Sequence, residues 1–350
     1  MISMRASLNR SLALLVPVVV WAVWLLCFDF ASSVLQAADV RCEQSRFAMG
    51  TQFSIVAYGG DESRLESAVA AALDEIARID HKWSDYRRDS DISRVNRLAA
   101  EGPVNVDAEL FAMLETCLRY SRETSGAFDI TVGPLVTAWG FFKGSGCLPE
   151  PDKISAALAH VGWQKLLLSP EQRIVSFAMP GMRLDLGAIG KGYAIDSAAA
   201  VLRQAGIRSA LLIAGGSSIL AMGAPPGQLG WAVSVRDPKD AKKIVTEVLL
   251  KDASLSTSGN YEKFFRANGR IYSHIFDPLT GYPVQGVLSC TVITNTGTQT
   301  DALSTGFFVM GKKRALSYLK KHPGIRVFFC TEAGCEWLRS SSVRNTGFID

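Results

Sequence analysis

The chain has 350 residues, 48% of them hydrophobic, enough for one large domain or two modest ones around a substantial buried core. Its formal charge of +4 is spread thinly and contains no basic run, which excludes nucleic acid as a partner. Seven cysteines at this length do not make a disulfide framework, and neither a CxxC pair nor a His-rich spacing points to zinc.

Arg5 and Arg10 precede Leu12 to Phe28, a run of seventeen uncharged residues, and Ser32, Ser33, Ala37 and Ala38 follow. The pattern reads as a secretory signal or as an uncleaved anchor in the inner membrane. The run is short for a bilayer span and holds Pro17, while Gln36 occupies the −3 position of a cut after Ala38, so both readings stay open. Leu25 and Leu26 stand where a lipoprotein would have small residues before Cys27. The expected division is 1–38 as signal or anchor and 39–350 as an extracytoplasmic body, at the periplasmic face of the inner membrane.

Ser54 to Tyr58 reads as the first strand, and Leu65 to Ile79 as a helix from its apolar period, with Asp61 or Ser63 as cap. Trp83 to Ser93 is too polar for a core and too aromatic for a disordered linker, which suggests a functional loop. Asp107 caps a helix reaching Ser121, and Gly144 to Pro151 is dense in turn residues. Arg183 to Leu186 alternates like a strand, Gly187, Gly190 and Gly192 turn it, and Ile195, Ala198, Ala199 and Leu202 mark a helix ending at Gly206. Strands follow at 210–213, 231–235 and 244–250. Asn268-Gly269 is a hairpin signal between strand-like runs, the second carrying His274. After a strand at 290–294, 301–311 and 312–321 read as helices, with two closing strands. The elements lack a regular βα alternation, so the class is α+β, with mixed sheets, packed helices and two intimately packed subdomains.

The glycine corner is either a structural strand-to-helix turn or a phosphate site, since glycines allow close backbone approach and a helix start presents N–H groups and a positive dipole end. It is neither a Walker A loop, because Gly192 follows Lys191, nor a GxGxxG fingerprint. Asp301 and Thr305, four apart, put a carboxylate and a hydroxyl on one helix face, a pair able to ligate magnesium or, more plainly, to cap their own helix and bond a carbonyl one turn back. His274 is a candidate base, or a satisfied structural histidine. Cys330 and Cys335 flank Thr-Glu-Ala-Gly and either bridge a hairpin or stay as two thiols.

Met49-Gly50-Thr51, Gly126-Ala127-Phe128-Asp129, Asp185 to Gly192, Gly215-Gly216, Thr257-Ser258-Gly259, Ser273 to Pro278 and Thr300 to Thr305, in this order, resemble the ApbE family of FAD:protein FMN transferases. The resemblance implies an enzyme that binds FAD and Mg2+ and moves FMN onto a Ser or Thr of an acceptor redox protein, releasing AMP. Carried over by position, it implies metal ligation by the Ala188 backbone oxygen, Asp301 and Thr305, and nucleotide contacts from Met49, Ala127, Phe128, Asp129, Asp185, Lys191 and Ile275. His274 would deprotonate the acceptor. Ser304 stands where some members carry a second metal-binding acid, which leaves one or two ions open. An FAD pyrophosphatase yielding FMN and AMP and a non-catalytic FAD-binding protein are the alternatives.

Overall fold

A computed structural model describes residues 39–338, so the hydrophobic run at Leu12 to Phe28 lies outside the described residues. The first strand, β1 (Val40–Ala48), turns at Met49-Gly50 with φ of +50° and +72° into β2 (Thr51–Gly59). Sequence patterning placed the first strand at β2, because β1 buries little beyond Cys42 and Ala48 and so lacks an apolar alternation.

Asp61 caps α1 (Glu62–Trp83), accepting from the Arg64 N–H at 2.7 Å. The polar stretch after it is partly helix: Ser90 Oγ caps α2 (Asp91–Leu98) through the Ser93 N–H. There follow β3 (Val104–Asn105), α3 (Ala108–Glu123) capped by Asp107, a 3-10 turn at Ile130–Val132, α4 (Gly133–Ala138), α5 (Pro151–Ala159), β4 (Leu166–Ser169) and β5 (Ile174–Phe177).

Next come α6 (Gly190–Gln204), β6 (Ser209–Ala214) and β7 (Ser218–Met222), then β8 (Trp231–Arg236), β9 (Ile244–Leu250) and β10 (Ala253–Gly259). Gly206, at φ +83°, ends α6 as expected: its N–H reaches the Arg203 carbonyl and that of Ile207 reaches Leu202. The hairpin β11 (Phe264–Ala267) and β12 (Arg270–Ser273) turns on Asn268 and Gly269, both at positive φ. The chain closes with β13 (Val287–Thr294), α7 (Gly297–Leu319), β14 (Arg326–Thr331) and β15 (Gly334–Leu338). Gly311, at φ +69° and ψ +169°, breaks α7 where the sequence divides two helices.

Eight strands form one sheet in the order β1-β2-β6-β7-β10-β13-β14-β15. β13 is buried along its whole length. Helices α6 and α7 pack against β7, β10 and β13. Trp231, Val233, Val235, Val248 and Leu250 of the β8–β9 hairpin join Leu255, Ile293 and Phe328 in an apolar layer. Alternation along β10 therefore assigns Leu255 to that layer and Ser254, Ser256 and Ser258 to the face under α7. A smaller core gathers Leu135, Trp139, Phe141, Ile154 and Phe276. Cys330 and Cys335 are disulfide-bonded across the β14–β15 pair, which decides between the two readings of that spacing.

Candidate functional site

The glycine corner is built differently from its sequence pattern. Arg183 to Leu186 has no ladder partner and is not a strand. Its polar backbone is satisfied one group at a time: Asn96 accepts from the Leu184 N–H at 2.7 Å and donates to its carbonyl at 3.0 Å, while the Asp185 N–H reaches the Ile130 carbonyl at 2.8 Å. The Asp185 carboxylate accepts from the Gly187 N–H at 2.7 Å, and Ile189 and Gly190 both donate to the Leu186 carbonyl. Ala188 thus sits, partly exposed, in a tight turn immediately before α6.

No side chain of its own segment caps α6. Asp301 of α7 does so instead, accepting from the Gly192 N–H at 2.6 Å. The arrangement is reciprocal, because Asp196 of α6 caps α7, taking the N–H groups of Gly297 and Thr298 at 2.7 and 2.8 Å and the Thr298 hydroxyl at 2.6 Å. Two helix starts, each the positive end of a dipole, meet here and are neutralised by each other's carboxylate. They approach so closely that a β-carbon on Gly192 would run into the Gly297 carbonyl. Burial pushes the Asp196 carboxyl above its usual range, its hydrogen bonds oppose that, and the nearby Asp301 charge adds to it.

Asp301 is 4% exposed, and its Oδ1 also accepts from Ser218 Oγ at 2.7 Å and Ser256 Oγ at 2.6 Å. Neither serine was singled out from the sequence, although the 254, 256, 258 alternation in β10 is visible there. Those serines meet Thr300, Asp301, and Ser304 with Thr305 in turn: Ser254 lies 3.1 Å from Thr300, and Ser258 lies 3.0 and 3.1 Å from the Ser304 and Thr305 hydroxyls. Asp301 therefore caps a helix, but α6 rather than its own, whose cap is Thr296.

Lys191 extends from the α6 start to Ser217 Oγ at 2.5 Å. Ser217 follows the Gly215-Gly216 turn, which bonds Gln52 through the Gly215 N–H and packs on Thr51, so Met49 of the adjoining turn belongs to the same sheet end. Asp129 is committed otherwise: Oδ1 accepts from the Thr131 N–H and hydroxyl and Oδ2 from the Trp163 N–H, all at 2.7 to 2.8 Å. Burial raises its pKa against those bonds. The side chains of Ala127, Phe128 and Ile275 are buried, so what they offer a ligand is backbone.

His274 lies just past β12 and not within it. Its backbone N–H and Nδ1 both lie against the Lys263 carbonyl, at 3.1 and 3.2 Å. A carbonyl only accepts, so Nδ1 carries the proton and Nε2 the lone pair. Burial pushes the imidazole pKa down to about 4; the hydrogen bond to the Lys263 carbonyl opposes this and the Lys263 and Lys191 charges add to it, so the ring is neutral at pH 7.

The stretch after α1 is tied into this region. Asp85 accepts from Asn96 at 3.0 Å and pairs with Arg183 at 2.8 Å; Arg183 in turn lies 4.0 Å from the Phe142 ring centre. Tyr86, 51% exposed, stacks on Phe142 at 5.2 Å. Burial raises the Asp85 pKa while Arg183 opposes it. Tyr86 belongs to the polar, aromatic stretch Trp83 to Ser93, whose composition alone does not single it out.

Among the described residues no three His, Cys, Asp or Glu side chains gather as a metal cluster. The donors at the α6–α7 junction are one carboxylate, hydroxyls and turn carbonyls, an all-oxygen set that matches a hard cation keeping much of its water. Asp301 has about four lone-pair positions and three are taken by hydrogen bonds, which leaves one on Oδ2 for such an ion.

Residues 49–329 match the model of the ApbE family. An FAD:protein FMN transferase of Treponema pallidum is 32% identical over 305 residues, covering 82% of this chain and 83% of the relative. One of Escherichia coli K12 is 32% identical over 292 residues, with 82% and 83% covered. In structure, the ApbE protein of Thermotoga maritima matches with a TM-score of 0.80 at 32% identity, covering 87% of this chain and 98% of that one. The flavin transferase ApbE of Vibrio cholerae matches at 0.75 and 30%, with the same coverage. These matches span the glycine corner, the serine-lined α7 and His274 alike, and the chain belongs to the ApbE family.

Proposed function

We propose that this chain is an FAD:protein FMN transferase that depends on Mg2+ and attaches FMN to a Ser or Thr of an acceptor redox protein. The observation that carries the reading is the junction of the α6 and α7 starts, where Gly192 N–H, Ser218 and Ser256 fix the Asp301 carboxylate and Lys191 reaches Ser217, the neighbour of Ser218 in the chain. In this reading the Ala188 carbonyl, Asp301 and Thr305 hold the ion, which when bound offsets the diphosphate charge and the charge growing on the leaving phosphate. Met49, Asp185 and Lys191, with backbone of Ala127, Phe128 and Ile275, line the nucleotide site; Asp129 supports it as a cap. Tyr86 on Phe142 offers a flat face to an aromatic ring system.

The chemistry required of the chain is positioning and one proton transfer. His274 Nε2 takes the proton of the acceptor hydroxyl, whose oxygen forms a bond to the FMN phosphorus as the bond from that phosphorus to the AMP phosphate oxygen breaks. The products are an FMN phosphodiester on the acceptor and AMP. The Cys330–Cys335 disulfide supports an extracytoplasmic site of action, and residues 1–38 would deliver or anchor the body there.

Protein lacking residues 1–38, incubated with FAD, Mg2+ and an acceptor domain, should leave flavin fluorescence on the denatured acceptor band. AMP release without such a band would assign hydrolysis instead, and bound FAD without either product would assign a carrier.

A further inference from the structure

The hairpin that leads into His274 carries cations that no carboxylate pairs among the described residues. Phe264 pairs with Ser273 and Arg266 with Ile271, so Phe264 and Arg266 share one face while Phe265 and Tyr272 share the other. The second face is fixed, with Phe265 and Tyr272 stacked 5.3 Å apart and both rings against Trp139. The first is open: Phe264 is 39% exposed and the Arg266 guanidinium lies 5.8 Å from its ring centre. Lys263, Arg266 and Arg270 are all exposed, against a single acid, Glu262. Among the described residues none of these three cations is in an ion pair, whereas arginines of the first helices, such as Arg78 and Arg94, are paired.

We infer that this hairpin is the docking surface for the acceptor protein, and that it receives an acidic segment in which Asp or Glu flanks the hydroxyl that takes FMN. The inference rests on the transferase reading and gives the partner its chemistry. Lys263, at the root of the hairpin, holds both the backbone and the ring of His274 through its carbonyl, so the hydroxyl that meets Nε2 arrives beside that root. From there β11 and β12 run four residues to the Asn268-Gly269 tip, roughly 13 Å at strand rise, a length over which several residues of an extended partner lie alongside. Exposed, unpaired cations around an exposed aromatic ring favour carboxylates and disfavour cations in that segment, mainly by steering and register.

The test uses two fluorescein-labelled peptides of about twelve residues with a central Thr, one flanked by Asp and Glu and the other by Lys and Arg, read by anisotropy at low and high salt. On the protein lacking residues 1–38 the acidic peptide should bind about tenfold more tightly at low salt, and the preference should shrink as salt rises. Arg266→Glu with Arg270→Glu should reverse the preference, and Arg266→Gln with Arg270→Gln should only reduce it, while FAD affinity stays unchanged in both. Equal binding of the two peptides, or a preference untouched by the reversal, would overturn the proposal. So would a loss of FAD affinity matching the loss of peptide, since the cations would then serve the nucleotide. Anisotropy needs no turnover, so a retained peptide preference without any FMN transfer would sink the transferase reading and leave the docking surface standing.

Discussion

Asp301 supports the fold and the proposed chemistry at once, and Asp301→Asn separates the two. The amide is nearly isosteric, and its Oδ1 can still accept from Ser218 and Ser256. Its other terminus becomes an NH2 facing the Gly192 N–H, a donor against a donor at 2.6 Å. A hydrogen bond to a charged acceptor contributes about 1.5–3 kcal/mol, and a buried N–H left unsatisfied costs about 1–3 kcal/mol. These overlap, and the variant should lose about 3 kcal/mol, or roughly 5 °C of melting temperature in a body this large. Asp301→Ala removes all three acceptor contacts and opens a cavity, so it should lose more, and its inactivity would not isolate a ligand role. For Asn, differential scanning fluorimetry reads the first effect and flavin transfer at a temperature where the variant is folded reads the second. Transfer should vanish. A folded Asn variant with wild-type turnover, or one with an unmoved melting temperature, would refute the corresponding half of the argument.

With His274 held neutral by a pKa near 4, the transfer rate should stay level from pH 7 to about 5 and fall below about 4 as the ring protonates; a fall centred near 6.5 would contradict the burial argument. The same shift makes the unfolded chain bind more protons between about 4 and 6.5, so this residue's contribution to stability is present above pH 6.5 and is lost as pH falls through that window, measurable in urea melts of wild type against His274→Gln. That substitution should lower kcat by about 10²–10⁴ with little change in FAD affinity. Gly192→Ala should destabilise by more than about 3 kcal/mol in thermal melts, because its β-carbon meets backbone carbonyl rather than a movable side chain. Reduction of the Cys330–Cys335 bridge, which closes a short loop, should cost about 2 kcal/mol and leave FAD binding intact by fluorescence titration.

Much of the fold was legible because its signals are local. Asp107, the Asn268-Gly269 turn, the Gly206 cap and the break at Gly311 each act within a few residues, and each does in the structure what its sequence implies. Two elements depart from their sequence pattern, for opposite reasons. Arg183 to Leu186 alternates like a strand, but its backbone partners are an asparagine 88 residues away and a single carbonyl, a long-range arrangement that period-two patterning cannot distinguish from a ladder. β1 was missed for the converse reason, since an edge strand with little buried surface needs no apolar alternation. In the site, Asp301 was found through the helical spacing to Thr305, whereas Ser218 and Ser256 act from two strands and become meaningful only once the sheet aligns them under α7.

The junction also accounts for a glycine-rich corner that is neither a P-loop nor a dinucleotide fingerprint. In those motifs the first turn of one helix is left open to the phosphates. Here Gly192, in the first turn of α6, already donates to Asp301, and Asp196 answers for the start of α7, so these N–H groups are not available to a ligand. The glycines at 192 and 297 serve instead to let the two starts touch. What remains for a diphosphate is the Lys191 ammonium and the last lone pair of a fixed carboxylate, which suits charge carried by a metal ion more than charge carried by helix dipoles. Asp301 then cannot drift toward the ligand without uncapping α6. Ser218→Ala and Ser256→Ala, which leave the cap in place but free the carboxylate to rotate, should therefore weaken Mn2+ binding measured by calorimetry more than they lower the melting temperature; an equal loss in both would reduce the serines to packing.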